Sequence, residues 1–156
     1  MNRNELTRSV RSILAEQGMK ELSFTSESDF DRILLGFTLH CKYDAVMVRV
    51  TIFETSVIVQ IHCPEEAGTS VRMEMAKYLT MANFGMKLGC FEMDMNSGEI
   101  HFRTTIEAID LSGKPMLTVM RALIMGARIF NQYGDGMYSI IHGQSNARAA
   151  IAKAEG

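Results

Sequence analysis

The amino-acid sequence predicts an α+β domain. An antiparallel sheet, made of a three-strand meander and a separate hairpin, is expected to pack against helices in the order α-β-β-β-α-β-β-α. Three observations predict it. Apolar residues alternate with period two from Ile33 to Cys63 and again from Cys90 to Ile106, as in half-buried strands. Around those runs, apolar residues recur at helical spacing, and two of the stripes stop at a glycine. The 156 residues are 47% hydrophobic and 22% charged, an ordinary globular composition, and no Pro-, Gly- or Ser-rich linker divides them. One domain spanning 1–156 is therefore expected.

From the N-terminus, Leu6, Val10, Ile13 and Leu14 form a one-sided stripe within residues 4–17, a short amphipathic helix ending at Gly18. Residues 19–30 are polar and irregular and read as a loop into the first strand. In the meander, Ile33, Leu35, Phe37, Leu39 and Cys41 share a face with Val46, Val48, Val50 and Ile52, then with Val57, Val59, Ile61 and Cys63. A two-residue turn at Tyr43-Asp44 would set Cys41 opposite Val46 and Leu35 opposite Ile52. A turn at Glu54-Thr55 would set Ile52 opposite Val57 and Val46 opposite Cys63.

Pro64-Glu65-Glu66 ends the meander, and Thr69 or Ser70 can cap a helix running to about Phe84, with Val71, Met75, Tyr78, Leu79 and Ala82 on its stripe. In the hairpin, a Ser97-Gly98 turn would place Asp94 opposite His101 and Glu92 opposite Arg103, two cross-strand charge pairs. Pro115 opens a long helix whose apolar face is read as Leu117, Met120, Leu123, Ile124, Ala127, Phe130 and Tyr133, with Gly134-Asp135-Gly136 as punctuation. The alanine-rich end, within 144–156, reads as a solvated terminal helix open to fraying.

Charge and processing signals narrow the function classes. Sixteen Lys plus Arg against eighteen Asp plus Glu give a net charge of −2, without the basic excess of a nucleic-acid binder. No run of ~18 apolar residues and no secretory leader appears, so a cytoplasmic protein with no membrane partner is expected. Cys41, Cys63 and Cys90 are odd in number, lack C-x-x-C spacing and read as reduced thiols.

No catalytic set emerges. His40-Cys41 and His62-Cys63 invite a metal reading, but the expected register separates each like pair by a strand, about 9–10 Å at ~4.8 Å per strand. It also turns each histidine and its cysteine to opposite faces, so neither a disulfide nor a four-ligand zinc site fits; no metal and no cofactor are expected. Gly143-Gln144-Ser145-Asn146-Ala147 lacks the last glycine of a nucleophile elbow, Gly134-Asp135-Gly136 is an isolated G-x-G, and no Walker A sequence exists. Asp29, Asp31, Glu65 and Glu66 read as solvated loop acids, and His142 as a helix-end cation.

Thirteen methionines and no tryptophan are the outstanding compositional fact. Most fit irregular core filling, but Met73 and Met81 lie off the main stripe of the second helix and Met47 lies on the mixed face of the meander. These three are the candidates for a partner or dimer interface.

Residues 78–103 run Tyr-Leu-Thr-Met-Ala-Asn-Phe-Gly-Met-Lys-Leu-Gly-Cys-Phe-Glu-Met-Asp-Met-Asn-Ser-Gly-Glu-Ile-His-Phe-Arg. The segment resembles the centre of the YbjN-like bacterial family. There, a helix carrying an Asn leads through a Gly-containing loop to an F-E-x-D strand, a turn ending in Gly-Glu and an apolar-x-apolar-Arg strand. The corresponding residues are Asn83, Gly89, Phe91, Glu92, Asp94, Gly98, Glu99, Ile100, Phe102 and Arg103. The element order resembles the type III secretion chaperone-like fold. The resemblance implies a small cytoplasmic bacterial protein, often dimeric, non-catalytic and either chaperone-like or regulatory, and the expectation adopted for this chain is a homodimer that binds another polypeptide in such a role. The alternative is an enzyme or small-ligand binder with a pocket between sheet and helices.

Overall fold

The computed structural model describes residues 2–156. In chain order it contains α1 (Arg3–Glu16), β1 (Glu21–Ser26), β2 (Asp31–Thr38), β3 (Ala45–Ile52), β4 (Ser56–His62), α2 (Arg72–Asn83), β5 (Cys90–Met93) and β6 (Ile100–Glu107). A 3-10 turn (Ala108–Leu111), α3 (Pro115–Ile141) and α4 (Ala147–Glu155) complete it. The six strands form one antiparallel sheet in the order β1-β2-β3-β4-β6-β5, so the class is α+β, with one strand, β1, more than predicted and with α4 where the terminal helix was expected.

Period-two alternation does its expected work. Ile33, Leu35, Val48, Val50, Val59, Ile61 and Phe102 are buried together on one face, and α3 crosses that face so closely that Gly126 sits against Ile61 and Phe102. α1 and α2 pack beside α3, and α4 docks across α2 and α3. Arg49, Gln60, His62, His101 and Arg103 point to the other face, as their register requires.

Four local readings are corrected. The first concerns β1, which lies where a loop was expected: it pairs with β2, but the register shifts between Glu21 and Ser23, and such a bulge breaks the alternation a sequence can show. Its turn makes Asp31 the first residue of β2. Asp31 is buried rather than solvated, accepting from the Thr7 and Ser26 hydroxyls, each at 2.6 Å. Burial works to raise the Asp31 pKa, yet Ser26, Thr7 and Arg3 together hold it below the usual carboxylate value.

The second is the β2–β3 connection. Phe37, not Cys41, faces Val46, and Leu35 faces Val48. A slip of four residues preserves every face, which is why hydrophobic pattern alone does not detect it. Side chains one turn apart on α3 hold the intervening loop: Asn131 accepts from the His40 amide and Asp135 from the Lys42 amide, each at 2.7 Å. Tyr43 anchors the loop with its ring against Phe130 and Tyr138. His40 therefore lies in a loop, and the row containing His62 is Gly36, Met47, His62, His101 and Glu92. The β3–β4 register, with Ile52 opposite Val57 and Val48 opposite Ile61, is as predicted.

The third is the hairpin, where Glu92 faces His101 and Cys90 faces Arg103, two residues away from the predicted register. The turn spans Asp94 to Glu99, closed by Asp94 N–H to Glu99 O at 2.9 Å and Gly98 N–H to Asp94 O at 2.7 Å. Glu92 still reaches Arg103 diagonally, 2.8 Å from its Nε, whereas no ion pair joins Asp94 to His101 among the described residues.

The fourth concerns helix boundaries and faces. Neither Thr69 nor Ser70 caps α2; its N-cap is Val71, without a side-chain cap. The Arg72 guanidinium instead ties the helix start to the hairpin turn by donating to the carbonyls of Ala67, Met95, Asn96 and Ser97, all at 3.1 Å. In α3 the buried stripe is Val119, Ala122, Leu123, Gly126, Phe130, Tyr133, Met137 and Ile140, so Leu117 and Ile124 face outward. Gly134 and Gly136 lie inside the helix, the first against Cys41 and the second against Tyr78. They mark close packing rather than a stop. α4 docks by burying Ala147 and Ala150, and Glu155 accepts from the Tyr133 hydroxyl at 2.9 Å.

Candidate functional site

A groove opens where β5 falls short of β6. β5 stops at Cys90, opposite Arg103, because the chain turns at Gly89, whose φ of 72° and approach to Arg103 O and the Phe102 ring exclude a side chain. β6 continues to Glu107. The bonds Cys63 N–H to Ile100 O and Ala108 N–H to Thr55 O fix which residues bond to β4: the even-numbered ones. The main-chain groups of Thr105 and Glu107 therefore point away from β4, past the end of β5. Both residues are exposed. They form a short free strand edge of the kind that accepts another extended segment.

α3 supplies the facing wall. Leu117, Arg121, Met125 and Ile129 recur every fourth residue, and Met86 and Leu88 close the other side. Ile106 and Thr104 form the floor of a groove of about 770 Å³. Its lining is more apolar than polar, and the charged and amide side chains along it, Lys87, Asp110, Arg121 and Gln132, are exposed. Thr104 is buried, and its hydroxyl oxygen has no hydrogen-bond partner in the protein. A buried hydroxyl in an otherwise apolar floor is a fixed point for a polar group entering from outside.

The three predicted interface methionines are not brought together. Met73, 64% exposed, and Met81, half-buried, line a second groove between α2 and the start of α4, with Ala76, Thr80 and Arg148. That groove is braced by Glu74, which accepts from the Ala147 amide at 2.8 Å. Met47, 47% exposed, stands apart on the open sheet face. Sequence reasoning missed Leu117, now 61% exposed at the mouth of the larger groove, because it placed this residue on the core stripe. The available signal was size: Ala122 and Gly126 mark the side of α3 that approaches the sheet, and Leu117 lies off it.

The segment quoted for its family resemblance is explained by architecture. Asn83 clamps the end of α2 to β5, accepting from Phe91 N–H at 2.7 Å and donating to Phe91 O at 2.9 Å. Gly98, at φ 86°, lies against Ala67 O, where a Cβ would collide with backbone. Glu92 is held low in pKa chiefly by its hydrogen bond from Arg103.

The remaining reactive residues are restrained. Burial raises the pKa of all three thiols, Cys63 to about 11, the opposite of an activated nucleophile. His142 caps α3, 3.1 Å from Glu65, which also accepts from the Tyr43 hydroxyl at 3.0 Å; Glu65 is thus a structural partner rather than a solvated acid. Comparisons with known protein families, curated proteins and solved structures yield no match.

Proposed function

We propose that this chain is a non-catalytic polypeptide-binding protein, chaperone-like or regulatory, that takes an extended segment of its partner into the groove between α3 and β6. The observation that carries the proposal is the free edge at Thr105 and Glu107 beside an apolar wall. Main-chain donors and acceptors call for another main chain, and alternate side chains of that segment would enter between Leu117, Met125 and Ile106. A small-ligand site would gather several buried polar groups; here Lys87, Thr105, Asp110, Arg121 and Gln132 are exposed. Within the same reading, a second copy of the chain meets the Met73 and Met81 groove, and the protein acts in the cytoplasm as a YbjN-like homodimer.

Selection of displayed random dodecapeptides on the wild-type protein tests the main claim. Binders should lose at least tenfold in affinity to Thr105→Pro, which removes an outward N–H without touching the β4 ladder, and to Leu117→Lys. Peptides that bind both folded variants as tightly as wild type would refute it. Replacing Met73 and Met81 together by Lys should halve the native mass; an unchanged mass would refute the dimer assignment.

A further inference from the structure

Four side chains that the groove does not use meet on the other face of the sheet. Antiparallel pairing sets His62 on β4 directly opposite His101 on β6. Because the neighbouring Cys63 and Ile100 share the main-chain bond, the histidines form the pair type in which side chains approach most closely. Their ring centroids are 5.2 Å apart. The hairpin register adds Glu92 opposite His101, and the turn adds Glu99, whose Oε1 lies 3.0 Å from His62 Nδ1. One ligand atom from each of His62, Glu99 and His101 falls within 4.8 Å of the others.

We propose that His62, His101 and Glu99 bind a divalent transition-metal ion of the zinc type. Two imidazoles and one carboxylate are a donor set such ions accept, at ~2.0–2.2 Å from each atom, with a further position left open to solvent or a ligand. Small side-chain rotations bring donors spread over 4.8 Å onto one ion. His101 Nδ1 is shut away from solvent without a hydrogen-bond partner in the protein, so that ring keeps a nitrogen uncommitted, while His62 meets Glu99 through Nδ1.

The surroundings supply the second requirement, orientation. Glu92 Oε2 lies 2.9 Å from His101 Nε2 while its other oxygen is held by Arg103, the carboxylate–histidine arrangement that fixes a metal-ligating ring. Gln60, 3.0 Å from the same nitrogen, borders the ring on the β4 side. Because Arg103 is matched to Glu92, Glu99 remains to balance the charge of the ion, with Arg49 as the opposing cation. Sequence reasoning missed this trio because it matched His62 with His40, across a register that does not form.

The test is a Zn²⁺ titration of the chelator-treated full chain against a chromophoric competitor, repeated with His62→Ala, His101→Ala, Glu99→Gln and His40→Ala. All lie on the surface or an open sheet face, and unfolding curves check that each folds. One ion per chain is expected, with at least tenfold weaker binding in each of the first two variants, severalfold weaker in Glu99→Gln and no change in His40→Ala. Absence of stoichiometric binding by wild type, or equal binding by the folded His62→Ala and His101→Ala variants, would overturn the proposal.

Discussion

Gly136→Ala should destabilise the protein although it replaces a glycine in the middle of a 27-residue helix. In an unconstrained helix the change gains about 1 kcal/mol. Here the new methyl would fall onto the Tyr78 hydroxyl, 2.5 Å from Cζ and 2.9 Å from Cε2. Tyr78 is fully buried and donates to Tyr133 O at 2.8 Å, so it has nowhere to turn without giving up that bond. Overpacking of this kind costs about 1–3 kcal/mol, and a lost buried hydrogen bond about 1–2 kcal/mol more. After the helix gain is subtracted, the net loss is roughly 1–4 kcal/mol, centred near 2.5, which at about 2–4 °C per kcal/mol is a drop of about 5–10 °C in Tm at the centre of the range. Thermal and denaturant unfolding followed by circular dichroism measure it. Gly126→Ala is the control, because its methyl crowds only the flexible end of Ile61, at 2.8 Å, and reaches Phe102 at an ordinary contact distance of 3.4 Å, so it should stay within about 1 kcal/mol of wild type. Adding Tyr78→Phe to Gly136→Ala should cost less than the sum of the two changes, since both relieve or break the same contact. A Gly136→Ala protein as stable as wild type would refute the close approach of α2 and α3.

Asn83→Ala removes both bonds of the clamp on Phe91 and should cost about 2–3 kcal/mol, with amide exchange rising first in β5; exchange confined to distant elements would contradict the role assigned to Asn83. Asp31 has a folded pKa below its ordinary 3.8, so the unfolded chain binds its proton more readily. Its contribution is complete above pH 3.8 and is lost as pH falls through the folded value, so Asp31→Asn should flatten the acid limb of a stability-against-pH curve; an unchanged acid limb would contradict this.

Alternation made the buried face of the sheet and the β3–β4 register legible, since any odd slip would have exposed Val48, Val50, Val59 and Ile61. Parity cannot see an even slip. The two registers that moved did so by four and two residues, under forces acting from elsewhere in the chain: α3 side chains on the amides of His40 and Lys42, and Asp94 folding the turn onto Asn96 N–H at 2.7 Å. β1 was illegible because its bulge and its exposure remove the periodic signal. The candidate groove was hidden for a related reason. It depends on where β5 ends and on which way α3 is rotated, and both are settled by close contacts of glycines that sequence shows only as punctuation. Met73 and Met81 could be picked out because helical spacing alone separates them from the buried Met75, Tyr78 and Leu79.

The most direct measurement of the central claim is residue-resolved amide hydrogen exchange of the wild-type protein with and without a selected peptide. Capture along the β6 edge predicts new protection at Thr105 and Glu107, matched by line broadening or shifts at Leu117 and Met125. Protection confined to α2 and α4, or to the histidine face of the sheet, with Thr105 and Glu107 still exchanging freely, would contradict it.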